Sequence, residues 1–494
     1  MIEETIKIHD KFQFEIKLGY KLNPDQKVTS YNIETYLFFP GSLGVNRITY
    51  TKEDFYNDIQ IYIRFKTPAV LLKEITSGGS DYFTKLKATF HRLVKHQNQS
   101  TLMDFEYQLK LFCSILKSSL RDHINFLFHK RKTADITSLV KSYSGYINKI
   151  TARFRELRKI INVPVISDKV FAIYLFGDEY ISHLVESYTY ELLEMIKRID
   201  LKGKNSIIRE LLGLIKNELH YRKVNQYRSI PSLKGNNEEL IFRKSVLKKF
   251  IESILFLKTR TEREGKLLEQ FTFSLASGLA MIFATGIAFY SQHKYGGFTL
   301  PVFIILIISY IFKDRFKELI RTFLSSRIHN HLYDHKMNIF VQPKNRIGIC
   351  RESFYFMHEK KIPAQIRKLR NRDHITEIEN GWMGEKIILH RKNIKLFSKK
   401  ISRIYTGFPI EFINDIMRFN VSKFLNKMDN PEKEIYLPAG SSYKKICGER
   451  VYHLNMVIKY SLKNRFLYKR FRIILNRNGI KKIEKVSTDK EIKL

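Results

Sequence analysis

Residues 271–290, FTFSLASGLAMIFATGIAFY, and residues 296–312, GGFTLPVFIILIISYIF, are two apolar runs separated only by SQHKY. The first holds 20 residues and no charge, and a helix rising ~1.5 Å per residue would carry it across the ~30 Å hydrocarbon core of a bilayer. The second holds 17 residues, and only 300–312 is strongly apolar. Together they predict a two-helix transmembrane hairpin whose spanning ends are Phe271, Tyr290, Gly296 and Phe312.

Orientation follows from the cations beside the runs, because Lys and Arg near membrane ends stay on the cytoplasmic side. Between the runs the only cation is Lys294. Lys258, Arg260, Arg263 and Lys266 precede the first run, and Lys313, Arg315, Lys317 and Arg321 follow the second. These residues are the expected head-group contacts, and they place both termini in the cytoplasm of an integral protein of the plasma or inner membrane. The first twenty residues, MIEETIKIHDKFQFEIKLGY, show no apolar core of a cleavable leader, so insertion is expected to rest on the hairpin. Within the first run, Ser274 with Gly278 and Ala284 with Ala288 offer small faces for close helix contact.

The whole chain repeats the charge signal. Its 494 residues carry 87 Lys and Arg against 49 Asp and Glu, a net charge of +38, which favours anionic partners: lipid head groups, nucleic acid or acidic proteins. With 44% hydrophobic residues it is no disordered polyelectrolyte. Cys113, Cys350 and Cys447 are too far apart for a CxxC pair and too few for a disulfide framework.

Outward from the hairpin, residues 1–221 read as a short β pair followed by a helical bundle. In 11–20, Phe12, Phe14, Ile16, Leu18 and Tyr20 alternate as in a strand, and 31–39 is a second strand. FYNDIQIYIRF, before Pro68, reads as helical. Three long helices follow. One carries Leu102, Phe105, Leu109, Phe112 and Leu116, and another Ile136, Val140, Tyr143, Ile147, Ile150, Phe154, Leu157 and Ile161 at the spacing of a coiled-coil seam. The third, about 168–199, has an acidic face of Asp178, Glu179, Glu186, Glu191 and Glu194, expected to dock a basic element of the same chain. Residues 222–237 read as a linker. Residues 238–340 read as a helical stalk around the hairpin, with the helix from Glu238 running straight into the first apolar run.

Residues 341–494 read as an α+β region. Helices are expected over 354–369 and 411–428, and a strand over EKIILHRKNIKLF. At the end an antiparallel meander over 451–460, 466–475 and 480–486 contains the turn signal Asn478-Gly479. The expected fold class is therefore mainly α with a smaller α+β part: a long-helix cytoplasmic bundle, a two-helix transmembrane hairpin and a C-terminal antiparallel β meander with helices.

Candidate chemistry is sparse. His329, His331, Asp334 and His335 cluster within seven residues, and on a helix His331 and His335 would share a face as metal ligands. Solvated histidines beside a membrane explain them as well. His358-Glu359 opens a zinc-protease motif that fails at Ile362. Arg372-Asp373-His374 lacks ligand spacing, and Trp382 between glycines reads as a turn anchor. Tyr468, Arg470 and Arg472 would share one face of a strand, where rings and guanidinium groups suit nucleic acid. No phosphate loop, dinucleotide turn or nucleophile elbow occurs, so no cofactor or metal site is assigned and a non-enzyme is favoured.

The expected function is a membrane-anchored, cytoplasm-facing interaction or scaffold protein with basic lipid-contacting flanks. Its expected partners are a bilayer with anionic head groups and either another protein or a second copy. One alternative is a membrane-associated metal-dependent enzyme acting on phosphate-bearing substrates, and another is a membrane-tethered nucleic-acid-binding protein.

Overall fold

The computed structural model describes residues 2–77, 81–130, 136–199, 203–233, 235–297, 299–329, 333–341, 345–370, 384–404, 410–462 and 465–486. About 52% of the chain is helical and 29% is strand, in three antiparallel sheets of which one has eight strands. That strand content overturns the mainly α expectation. The chain divides into two compact units, one built from 1–63, 258–404 and 412–494 and the other centred on 64–257.

The first unit is β-rich. Its larger sheet has the order β14-β13-β12-β3-β8-β7-β6-β5, where β3 is Thr29–Phe39, β5 Lys258–Arg263, β6 His335–Phe340, β7 Arg346–Met357, β8 Lys386–Leu396, β12 Tyr452–Leu462, β13 Arg465–Asn476 and β14 Gly479–Val486. Its smaller sheet has the order β1-β2-β9-β4, from β1 Ile2–Ile8, β2 Gln13–Lys21, β4 Ile59–Phe65 and β9 Phe412–Asn420. A separate hairpin joins β10, Glu432–Ala439, to β11, Ser442–Glu449.

Of the alternating residues that predict β2, Phe14, Ile16, Leu18 and Tyr20 are core residues, while Phe12 lies just before the strand and is exposed; Glu15 and Gly19 on the other face are buried as well. The two N-terminal strands do not pair with each other. β2 pairs with β9, while β3 lies between β8 and β12 of the larger sheet. The C-terminal meander β12-β13-β14 is present, with Gly479 at φ +138 in its turn.

The two sheets face each other across a core that combines rings with charges. Phe55, on helix α1 (Lys52–Asp58), is fully buried between them, 4.7 Å from the Phe354 ring of β7, 5.1 Å from His390 of β8 and 5.8 Å from Phe419 of β9. Beside it, Lys392 of β8 places its ammonium 2.7 Å from Asp415 of β9 and 3.2 Å from Glu352 of β7. Asp415 also accepts a hydrogen bond from the Tyr20 hydroxyl at 2.9 Å. Burial alone would raise the Glu352 pKa, yet Lys392 and His390 hold it at about 2.

Several sequence expectations fail in this unit, each for a local reason. FYNDIQIYIRF is split between α1 and β4, because IQIYIRF has a period of two that the helical residues before it obscure. The helix expected over 411–428 is β9 followed by one short helical turn, Ser422–Leu425. Its inward face is Ile413, Asp415, Met417 and Phe419, and the buried Asp interrupts the apolar alternation. The stretch 354–369 expected to be helical is the end of β7, one short helical turn at Glu359–Lys361 and, after Pro363, helix α12 (Ala364–Arg370).

The second unit is helical: α2 (Leu72–Thr76), α3 (Asp81–Lys95), α4 (Gln99–Lys130), α5 (Ile136–Glu156), α6 (Arg158–Ile161), α7 (Asp168–Lys197), α8 (Lys204–Val224) and α9 (Glu238–Glu252). All eight residues of the predicted seam, from Ile136 to Ile161, are buried in one apolar core. α4 and α7 approach closely at Gly177, where a Cβ would come within 3.2 Å of the Leu109 side chain. The acidic face of α7 meets basic and hydroxyl groups of its own unit. Asp178 accepts hydrogen bonds from the Tyr221 and Tyr227 hydroxyls, both at 2.7 Å. Glu179 pairs with Arg243 at 2.7 Å, and Glu186 with the fully buried Arg222 at 2.6 Å.

The continuous stalk helix is also corrected. α9 stops at Glu252, and the threonine-bearing segment KTRTER is β5, an edge strand paired with β6. Between these adjacent strands the chain makes one excursion, the helices α10 (Lys266–Tyr295) and α11 (Leu300–His329).

Candidate functional site

The excursion forms an arm. Each of its helices has 30 residues, which at ~1.5 Å per residue is ~45 Å. Phe283 stacks on Phe316 at 5.1 Å, and Arg321 lies over the Phe273 ring at 4.2 Å, so α10 and α11 run antiparallel with their connection at the tip. The seam between them is lined by small side chains: Thr272, Ala276, Ala280 and Ser291 from α10, and Val302 and Ser309 from α11, are buried. Of the small pairs singled out in the sequence, Ser274 and Gly278 are exposed, with nothing within 4 Å of a Cβ position at Gly278, while Ala284 and Ala288 are half-buried and Ala284 continues the row of Ala276 and Ala280.

Only one helix of the described residues, Gln270–Tyr295, is long and apolar enough to cross a membrane, and 17% of its apolar window is buried. The second helix does not qualify. Its apolar part ends at Phe312, and Lys313, Asp314, Arg315, Lys317, Glu318 and Arg321 occupy the rest of its described length. The two-span hairpin is therefore not supported. Integral membrane placement and the cytoplasmic location of both termini, which were inferred from that hairpin, fall with it.

The pairing register adds what the two runs alone conceal. Because residue 283 lies against 316 and 273 against 321, the charged stretch 313–321 of α11 lies against the apolar middle of α10. Among the predicted spanning ends, Phe271, Tyr290 and Phe312 are exposed on the arm, and Gly296 is the C-cap of α10 at φ +76. Phe289 is 74% and Ile282 69% exposed, and Leu300, Phe303, Ile308 and Ile311 also face outward. Monomeric proteins seldom expose contiguous apolar patches beyond a few hundred Å², so this surface is built to be covered.

The predicted head-group cations separate into two groups. Lys258, Arg260 and Arg263 stand exposed on β5 at the root of the arm, Arg260 with Glu262 at 3.3 Å. Lys313 lies over the Tyr310 ring at 3.6 Å, and Arg315, Lys317 and Arg321 continue along α11. At the tip, Lys294 lies 5.4 Å from the Tyr295 ring. The Lys266 side chain lies outside the described residues. Cations thus stand at the root, along α11 and at the tip, with apolar surface between them.

The remaining sequence candidates are placed as follows. His331, Asp373, His374 and Trp382 lie outside the described residues. His335 opens β6 instead of extending a helix, and its ring meets Tyr56 at 4.2 Å. Asp334 is held by Lys52, by the Tyr56 hydroxyl at 3.0 Å and by the Phe354 amide at 2.7 Å, which ties α1 to the sheet. Among the described residues no group of three His, Cys, Asp or Glu side chains is gathered for a metal. Of the proposed nucleic-acid face, Arg470 is buried and donates to the Leu369 carbonyl at 3.0 Å and to Asn455 at 3.2 Å, so it faces protein. Tyr468 donates its hydroxyl to Gln365.

Comparisons of the chain with protein-family models, curated proteins and solved structures find no match.

Proposed function

We propose that this is an interaction protein that docks on an anionic lipid surface by laying the α10–α11 arm along it, without crossing. The carrying observation is the arm's exposed apolar surface bounded by cations at both ends and along α11. A helix pair lying in the interface buries apolar side chains about 5–10 Å into the head-group boundary and leaves its cations at the phosphates. Each Lys or Arg held near an anionic surface contributes about 1 kcal/mol. The position of Lys313, Arg315, Lys317 and Arg321 against the middle of α10 favours lying over crossing, since a crossing arm would carry charge into hydrocarbon. Attached in this way, the β-rich and helical units remain in water, available to partners.

The experiment is flotation of the full chain with vesicles of phosphatidylcholine alone or with added phosphatidylglycerol. The chain is expected to float with the anionic vesicles and to be released by high salt. Charge reversal at Lys313, Arg315 and Lys317 is expected to leave it at the bottom of the gradient. Failure of the unaltered chain to float with anionic vesicles at low salt would overturn the proposal.

A further inference from the structure

A second feature lies in the β-rich unit and is independent of lipid docking. A cleft of about 500 Å³ opens beside β7 and β8, and Arg47, Lys52, Lys361 and Arg391 line it with no acidic residue among the lining side chains. These four cations come from four separate segments, so the cleft is a product of the fold. Arg47 sits in a loop fixed by its neighbours. The Asn46 carboxamide oxygen accepts the amides of Ile48 at 2.8 Å and Thr49 at 3.0 Å, and the Thr49 hydroxyl donates to the Gly44 carbonyl at 2.6 Å. Lys361 ends a short helical turn, Glu359–Lys361, that follows β7. Arg391 projects from β8 beside the Tyr355 ring, its guanidinium 5.0 Å from the centroid.

The charge of the cleft is only partly offset from nearby: Glu34 stands opposite Arg391 in the pairing of β3 with β8, though its carboxylate goes to Lys459 at 3.2 Å. Lys52 shares Asp334, and the carboxylate of Asp54 is taken by Lys423 at 2.9 Å. Arg47, Lys361 and Arg391 have no carboxylate within ion-pair distance among the described residues. Cations converging on one concave site repel one another unless an anion enters, and their field draws one in. The ring on the Arg391 side of β7 is Tyr355, while Phe356 points to the other face of the strand beside Phe354 at 5.4 Å. A flat ring can stack on Tyr355 while guanidinium and ammonium groups meet phosphate oxygens, and the volume falls within the range of small-molecule sites.

We infer that this cleft binds a nucleoside phosphate, with its phosphates among Arg47, Lys361 and Arg391 and its base against Tyr355. The test is fluorescence anisotropy of N-methylanthraniloyl-ADP titrated with the full chain, followed by displacement with ADP, pyrophosphate and a short oligothymidylate. Saturable binding is expected, with ADP displacing the probe at lower concentration than either competitor. Arg47→Ala with Lys361→Ala, both surface changes, is expected to weaken binding about a hundredfold, tenfold per cation. Lys445→Ala, a cation on β11, is expected to leave it unchanged. A far-UV circular dichroism spectrum and unfolding midpoint like those of the unaltered chain establish that the double variant is folded. Absence of saturable binding, or equal binding by the folded double variant, would overturn the inference. Pyrophosphate displacing as well as ADP would remove the base from the site, and oligothymidylate displacing better would assign the surface to nucleic acid; either result also overturns it.

Discussion

Lys392→Met is the sharpest perturbation of the β-rich unit. The Lys392 ammonium lies between Asp415 at 2.7 Å and Glu352 at 3.2 Å, and all three side chains are at most 5% exposed. Methionine fills much the same volume and removes the charge, leaving two carboxylates buried without their cation. Breaking a buried ion pair by removing one partner costs about 3–5 kcal/mol. The Glu352 pKa gives a separate estimate. A carboxyl held at about 2 against an ordinary value of 4.5 contributes about 3 kcal/mol to stability at neutral pH. Because the folded value is depressed, this contribution is complete above the ordinary value and is lost as pH falls toward 2.

The assay is urea unfolding with hydrogen exchange read on the amides of β7, β8 and β9, which reports on this unit alone. Lys392→Met should lower its stability by about 3–5 kcal/mol near pH 7 and by much less near pH 2. Adding Glu352→Gln and Asp415→Asn should recover at least half of the loss. A loss below about 1 kcal/mol, the scale of an exposed pair, or no recovery in the triple variant, would refute the reasoning.

Two further outcomes concern the helical unit. Arg222→Met leaves Glu186 buried beside His183 without its 2.6 Å partner and should cost about 3–5 kcal/mol, measured by urea unfolding followed at α7 and α8 amides. Gly177→Val forces two methyl groups into the space held by Leu109, 3.2 Å from a Cβ, and should cost about 1–3 kcal/mol; Leu109→Ala in the same chain should return part of that loss.

Period decided only part of what was legible. β2 and the first part of β3 show an alternation of apolar residues, and α5 a clean helical repeat with one apolar face toward the core, whereas β8, α4 and α7 are read from their apolar content because they are buried on more than one face. β9 was hidden by Asp415 on its inward face, and β5 by being six exposed residues with no apolar face. Both owe their strand form to neighbours distant in sequence, β2 for the first and β6 for the second. Of the acidic residues of α7, Glu179 and Glu186 meet Arg243 and Arg222 as a stripe of carboxylates in so basic a chain should, while Glu191 and Glu194 stay exposed. The arm's composition was plain, but the alignment of the charged stretch of α11 with the apolar middle of α10 is a fact of helix register. The cleft had no local signal at all: Arg47, Lys361 and Arg391 line it from stretches separated in sequence.

The account rests most on the arm lying along an anionic surface. The direct measurement places an environment-sensitive fluorophore at Ile282→Cys or at the tip, Gly297→Cys, with the exposed Cys447 replaced by serine and the buried Cys113 and Cys350 kept. On vesicles containing phosphatidylglycerol, the label at 282 is predicted to shift to the blue, while the label at 297 stays open to a quencher added outside the vesicles. No shift at 282 would contradict docking, and a tip label shielded from the external quencher would contradict lying along the surface.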